Sequence, residues 1–200
     1  MTHHSLRSSL ACILPAILAL VMTGCVNIQT GAETEEQLTQ SSELRGRDFR
    51  VTWVNRFTGM APVEKGQMYN DLIDSVSSVY LRYGFTIVGE WQKGNAGRGQ
   101  LIPDAEMQKV VEASVRTQKP MFQSYEDALE YAYRQLDESG TYSASDMEIF
   151  KRHLDELYRI YSVVFYPSGT VDDYEMALRD LESNQRSLSQ SVVEMLDRYR

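Results

Sequence analysis

Histidine, cysteine and paired carboxylates carry most protein chemistry, and this chain holds few of them in usable patterns. His153 is the only histidine beyond residue 4, so reactions that need several imidazoles have no inventory here. Cys12 and Cys25 both fall within the first 25 residues, leaving the remainder no disulfide, thiolate metal site or cysteine nucleophile of its own. A carboxylate di-metal bundle needs Glu-x-x-His on facing helices, but the residue three before His153 is Phe150. The zincin His-Glu-x-x-His, the EF-hand loop and the Gly-x-Ser-x-Gly elbow are missing too. The reading therefore assigns no catalytic, cofactor-binding or metal-ligating residue, and expects a protein that is not an enzyme.

Three weaker patterns remain. Asp155, Glu156, Asp172, Asp173 and Glu175 include a glycosidase-like pair only if two stand about 5–10 Å apart across a cleft; acids on a solvated face are the commoner case. That is the basis of an alternative function, an enzyme acting on cell-wall or polysaccharide substrate. Tyr125, Tyr131, Tyr133, Tyr158, Tyr161 and Tyr166 either line a groove, as in a carrier of an apolar small ligand, or straddle the core edge with the hydroxyl wet. Lys93 to Gly99 is glycine-rich with two bases. Phosphate cradles open directly into a helix N-terminus, whereas Gln100 to Pro103 intervene here, so a surface connection is expected.

Charge narrows the partners. Residues 26–200 hold 28 acids against 19 bases, a net of −9. Nucleic acid and anionic lipid both call for basic patches, so this balance argues against either.

The elements that would position any site begin at the N-terminus. Arg7 precedes an apolar run from Leu10 to Met22, followed by Thr23, Gly24 and Cys25. The run is short for a bilayer span and suits the h-region of an export signal, cleaved or kept as an anchor. Leu20-Val21-Met22-Thr23-Gly24-Cys25 resembles the lipobox of bacterial lipoproteins, with Met22 where leucine is commoner. The resemblance covers residues 1–25 only. It implies removal of residues 1–24, diacylation of Cys25 at sulfur, usually a further acyl group such as palmitate at its amine, and firm anchoring, since one chain alone binds only marginally. Val26 stands where an inner-membrane retention signal would put aspartate, so the resemblance implies the outer membrane, with the body in the periplasm or at the cell surface.

Residues 25–48 comprise Cys25 and a polar stretch that reads as a flexible tether, or as a frayed helix across Glu33 to Leu44. Residues 49–142 read as an α+β or helical body. Phe49, Val51, Trp53 and Phe57, and again Tyr83, Phe85, Ile87 and Trp91, alternate with period two and read as two strands. The second stretch could instead extend a helix, although Gly84 argues for a stop. Between them Tyr69, Leu72, Ile73, Val76, Val79, Tyr80 and Tyr83 form a helical stripe beginning near Val63, after Pro62. Two shorter helices follow, one from Asp104 ending before Pro120 and one from Ser124 to Gly140.

Residues 143–200 read as a helical hairpin packing on the body. Met147, Phe150, Leu154, Leu157, Tyr161 and Val164 recur in steps of three and four; so do Val171, Tyr174, Leu178, Leu181, Gln185, Leu188, Val192, Met195 and Tyr199. Capping-box patterns at Ser143 and Thr170 and a break at Pro167-Ser168-Gly169 mark the ends. Glu148–Arg152, Asp155–Arg159, Glu175–Arg179, Glu182–Arg186 and Glu194–Arg198 add pairs at helical spacing. Gln185 falls level with His153, giving a register pair satisfied by the histidine or by water; the alternative leaves both in solvent. Val192, Met195, Leu196 and Tyr199 outrun the first helix, so they pack on the body or on another chain, and they are the candidate interaction surface. The expected fold class is mainly α: a small helical bundle with a long C-terminal antiparallel hairpin and a minor two-stranded β element. The expected function is an outer-membrane-anchored lipoprotein acting as a non-enzymatic adaptor, assembly factor or structural component of an envelope complex, for example in secretion or pilus assembly. Its partners would be the membrane, through Cys25, and an envelope protein.

Overall fold

A computed structural model describes residues 35–98 and 104–200. Five helices run through them: α1 (Glu35–Thr58), α2 (Pro62–Arg98), α3 (Asp104–Glu138), α4 (Ala144–Phe165) and α5 (Val171–Asp197). The expected export signal and Cys25 lie outside the described residues. Residues 35–48, expected as tether, are the first part of α1.

Among the described residues there is no strand, and the expected two-stranded element is replaced by helix. The reason is arithmetic. Every second member of a period-two run is four residues from the last, so Phe49, Trp53 and Phe57 also share one helical face. Trp53 and Phe57 are buried on it and Val51, the off-phase member, is exposed. Likewise Ile87 and Trp91 are buried on α2, one and two turns beyond Tyr83. Helix satisfies the backbone locally, whereas two isolated strands would need a further layer.

Gly84 does not stop α2. It lies against α5, where a Cβ would come within 2.8 Å of Leu178 and 3.2 Å of the Tyr174 hydroxyl. Close helix approach, not termination, explains a glycine there. The helix continues through the glycine-rich stretch as far as Arg98, so Lys93 to Arg98 is not a loop.

The two helices expected either side of Pro120 are one, α3, with the proline inside. A helix-interior proline forfeits a backbone donor at a cost of about 3 kcal/mol. Packing offsets it: Met121, Phe122, Tyr125, Ala128, Leu129, Ala132 and Leu136 form a continuous buried stripe. Ser124 Oγ donates to the Pro120 carbonyl at 3.0 Å. α1 lies chiefly along α3, and at Gly46 they approach closely, a Cβ there falling 2.4 Å from Ser124 Oγ.

α4 and α5 form the hairpin. Ser143 Oγ accepts from the Asp146 amide at 3.2 Å, and Thr170 and Asp173 cap each other reciprocally at 3.2 and 3.1 Å. Gly169, at φ +85°, makes the turn, a conformation other residues resist. α2, rather than the hairpin, is the central element: it packs on both hairpin helices and on α3, and touches α1. Glu175–Arg179 and Glu182–Arg186 pair as spaced, at 2.6 and 2.5 Å. Arg159 instead takes Glu156, Asp155 takes Lys151, and Arg198 takes Asp146.

Candidate functional site

Polar residues enter the core where α2, α4 and α5 meet. Asn70 and Asp74 are one turn apart on α2, as are Gln185 and Ser189 on α5, so each pair shares a face. His153 comes from α4 and is fully buried, and Gln185 and Asn70 are nearly so. Gln185 Nε2 stands 2.7 Å from His153 Nε2 and donates to Asp74 Oδ1 at 3.1 Å. His153 Nε2 is also 3.4 Å from Asp74 Oδ1. The other carboxylate oxygen accepts from Ser189 Oγ at 2.6 Å and from Asn70 Nδ2 at 3.3 Å.

Asp74 is therefore the hub, and it was not among the residues singled out from the sequence. Neither were Asn70 and Ser189; their one-turn spacing along the stripe's edge was the available signal. Serine, histidine and aspartate do meet here, but in the wrong order for nucleophilic catalysis. An activated serine needs the histidine between it and the carboxylate. Here the carboxylate stands between them, and His153 Nδ1 is buried without a side-chain or backbone partner. The arrangement holds three helices in register. Nearby, burial pushes the Asp71 carboxyl above its ordinary range; a hydrogen bond from Gln67 opposes this and the Asp74 charge adds to it.

The proposed interaction surface is largely core. Val192, Met195 and Leu196 are buried, and Leu196 lies over Gly66 of α2. Tyr199, half-buried, donates to Asp146 Oδ2 at 2.5 Å, and its ring sits 4.9 Å from that of Tyr142. Arg198 pairs with the other Asp146 oxygen. The overhang has a partner because α2 runs beside it, which hairpin geometry alone does not reveal. At Asp146 burial raises the carboxyl's pKa, but hydrogen bonds from Ser143 and Tyr199 and the Arg198 charge outweigh it, so the net shift is downward.

Several of the tyrosines belong to aromatic packing rather than to a free groove. Tyr161 meets Tyr80, Phe122 and Phe165, with ring centres 5.8, 6.2 and 4.8 Å away. Tyr125 is buried against Phe49 at 4.8 Å. Burial, with nearby acids, pushes the Tyr158 hydroxyl up to about 12. Tyr166 is exposed at the hairpin turn.

An open groove of about 500 Å³ runs between α1 and α3. Arg47 and Arg50 line it from α1; Arg116, Lys119 and Gln123 line it from α3, with Glu43 the one acid among the described lining residues. Among the described lining residues there is no carboxylate pair, and all but Pro120 are charged or polar. Four cations side by side can hold an anion; guanidinium forks suit carboxylate or phosphate oxygens.

Among the described residues no group of three or more His, Cys, Asp or Glu side chains is placed to hold a metal ion. No described helix is long and apolar enough to cross a membrane. Comparison with protein-family models, curated proteins and solved structures gives no match to this chain.

Proposed function

We propose that the chain is an outer-membrane lipoprotein, anchored through acylated Cys25, whose helical body serves by contact as an adaptor, assembly factor or structural part of an envelope complex. The lipobox-like Leu20–Cys25 behind its apolar run is the observation that carries the location. The role by contact is supported by how the body's chemistry is laid out. The histidine, serine and acid that meet in the core are used to hold helices together, while α1 and α3 present a charged groove to solvent.

Two measurements test this. Mass spectrometry of the purified chain should find an N-terminal peptide beginning at Cys25 with its acyl groups; an unmodified thiol retained in the cytosol would end the proposal. Affinity purification from crosslinked envelopes should recover a second protein in fixed ratio. Recovery of the monomer alone, where known envelope complexes survive, counts against the adaptor role.

A further inference from the structure

The groove between α1 and α3 and the outer face of α1 beside it have a specific chemistry. We propose that they form a binding site for the phosphate groups of anionic lipid headgroups, so that α1 rests on the membrane surface. The proposal rests on the lipid-anchor reading.

The first support is charge. Three guanidiniums and one ammonium converge from two helices, on a body that is acidic as a whole. The countercharges of Arg47, Arg50 and Lys119 are weakly held. Asp127 pairs with Arg50 at 2.7 Å and Asp48 lies 3.6 Å from Arg47, all four side chains being substantially exposed; Glu126 lies within electrostatic reach of Lys119. Exposed pairs of this kind contribute little, so a phosphate can replace them without stranding a buried charge.

The second support is apolar and independent of the first. Leu44 and Val51 are large apolar side chains left 53% and 52% exposed. They are seven residues apart on α1, so they share one azimuth, opposite the buried Trp53 and next to Arg47. An apolar stripe bordered by bases is the pattern of a helix lying in a bilayer interface, apolar side chains dipping below the level of the phosphates. The third support is proximity. Nine residues separate Cys25 from Glu35, a reach of at most roughly 35 Å fully extended. Acylation of Cys25 would therefore hold α1 at high effective concentration near headgroups.

The test uses the full acylated chain in vesicles of phosphatidylcholine alone or with phosphatidylglycerol, reading amide hydrogen exchange across α1. Phosphatidylglycerol should slow exchange in α1 by about tenfold, since each base near an anionic surface contributes appreciably. Raising the salt from about 0.1 to 0.5 M should abolish the slowing in the native chain. The triple variant R47Q/R116Q/K119Q should lose it at low salt. Equal exchange in both vesicles, slowing that survives high salt, or slowing retained by a folded triple variant each overturns the site. Slowing by inorganic phosphate in phosphatidylcholine vesicles, with no further effect of phosphatidylglycerol, makes the ligand free phosphate and overturns the lipid assignment. Mass spectrometry of Cys25 in the same sample separates the two readings. An unmodified cysteine refutes the anchor, while exchange with added vesicles still reports on the groove.

Discussion

Replacing Gln185 with leucine probes the polar centre of the bundle most directly. The substitution removes the contact with His153 Nε2 at 2.7 Å and the bond to Asp74 Oδ1 at 3.1 Å. Asp74 has a side chain 37% exposed and retains Ser189 and Asn70 on its other oxygen, so it can recruit water. His153 cannot: it is fully buried, its Nδ1 already lacks a partner, and Nε2 keeps only the 3.4 Å contact with Asp74 Oδ1. A net hydrogen bond contributes about 1 kcal/mol, while stranding a buried polar group costs about 1–3 kcal/mol. Leucine at a buried seam position returns part of that through apolar burial. Gln185→Leu should therefore destabilise by about 1–2 kcal/mol. His153→Leu should cost about 1 kcal/mol, because the Gln185 amide keeps Asp74. The double variant makes both sides of the seam apolar and should fall short of the summed losses by at least about 1 kcal/mol. Urea unfolding of all four chains at constant m-value reads these differences from the midpoints. Additivity within about 0.3–0.5 kcal/mol would refute the coupling. A Gln185→Leu chain as stable as the native one would refute the accounting of the stranded histidine.

Three further outcomes follow from other parts of the bundle. Leu196→Ala should cost about 2–5 kcal/mol, the loss typical of a fully buried leucine, whereas a residue on a free interaction surface would cost well under 1 kcal/mol; chemical denaturation decides. Asp146→Asn should alter the acid limb of the stability curve. The folded carboxyl titrates below its ordinary range, so its contribution is present above about pH 4 and is lost as pH falls through the lowered value. The gap between native and variant stability should accordingly be full at pH 6 and shrink below about pH 4; a constant gap down to pH 2 would refute the ion pairing with Arg198. Gly46→Val should push α1 from α3, since even a Cβ meets Ser124 Oγ at 2.4 Å and the Pro120 carbonyl at 3.1 Å. Hydrogen exchange should speed up in α1 while α4 and α5 keep their protection; uniform loss across all helices would contradict the placement of α1 on α3.

How far the chain could be read before its fold was known depended on how far each signal reaches. The caps at Ser143 and Thr170, the turn at Gly169 and the three-and-four spacing of Phe150, Leu154 and Leu157 operate within one or two helical turns, so the hairpin was legible residue by residue. Phe49 to Phe57 is ambiguous in sequence because a short aromatic run is compatible with both periods; only a partner decides between them, and that partner, α3, begins some fifty residues later. Pro120 has the local mark of a boundary for the same reason. A local penalty was visible and the packing along α1 that offsets it was not.

The sequence by itself determined a helical chain with a capped C-terminal hairpin, an acidic balance, a lipobox-like stretch ending at Cys25 and almost no catalytic inventory. Each of these is a property of composition or of neighbours within a few residues. Tertiary structure alone decided that α2 is the centre, that Asp74 joins His153 to Gln185, that Val192, Met195 and Leu196 are core, and that an acidic protein nonetheless gathers four bases in one groove. Net charge is a sum over the chain, but a ligand meets only the few charges that two helix faces bring together, and which faces meet is set by packing between residues far apart in sequence.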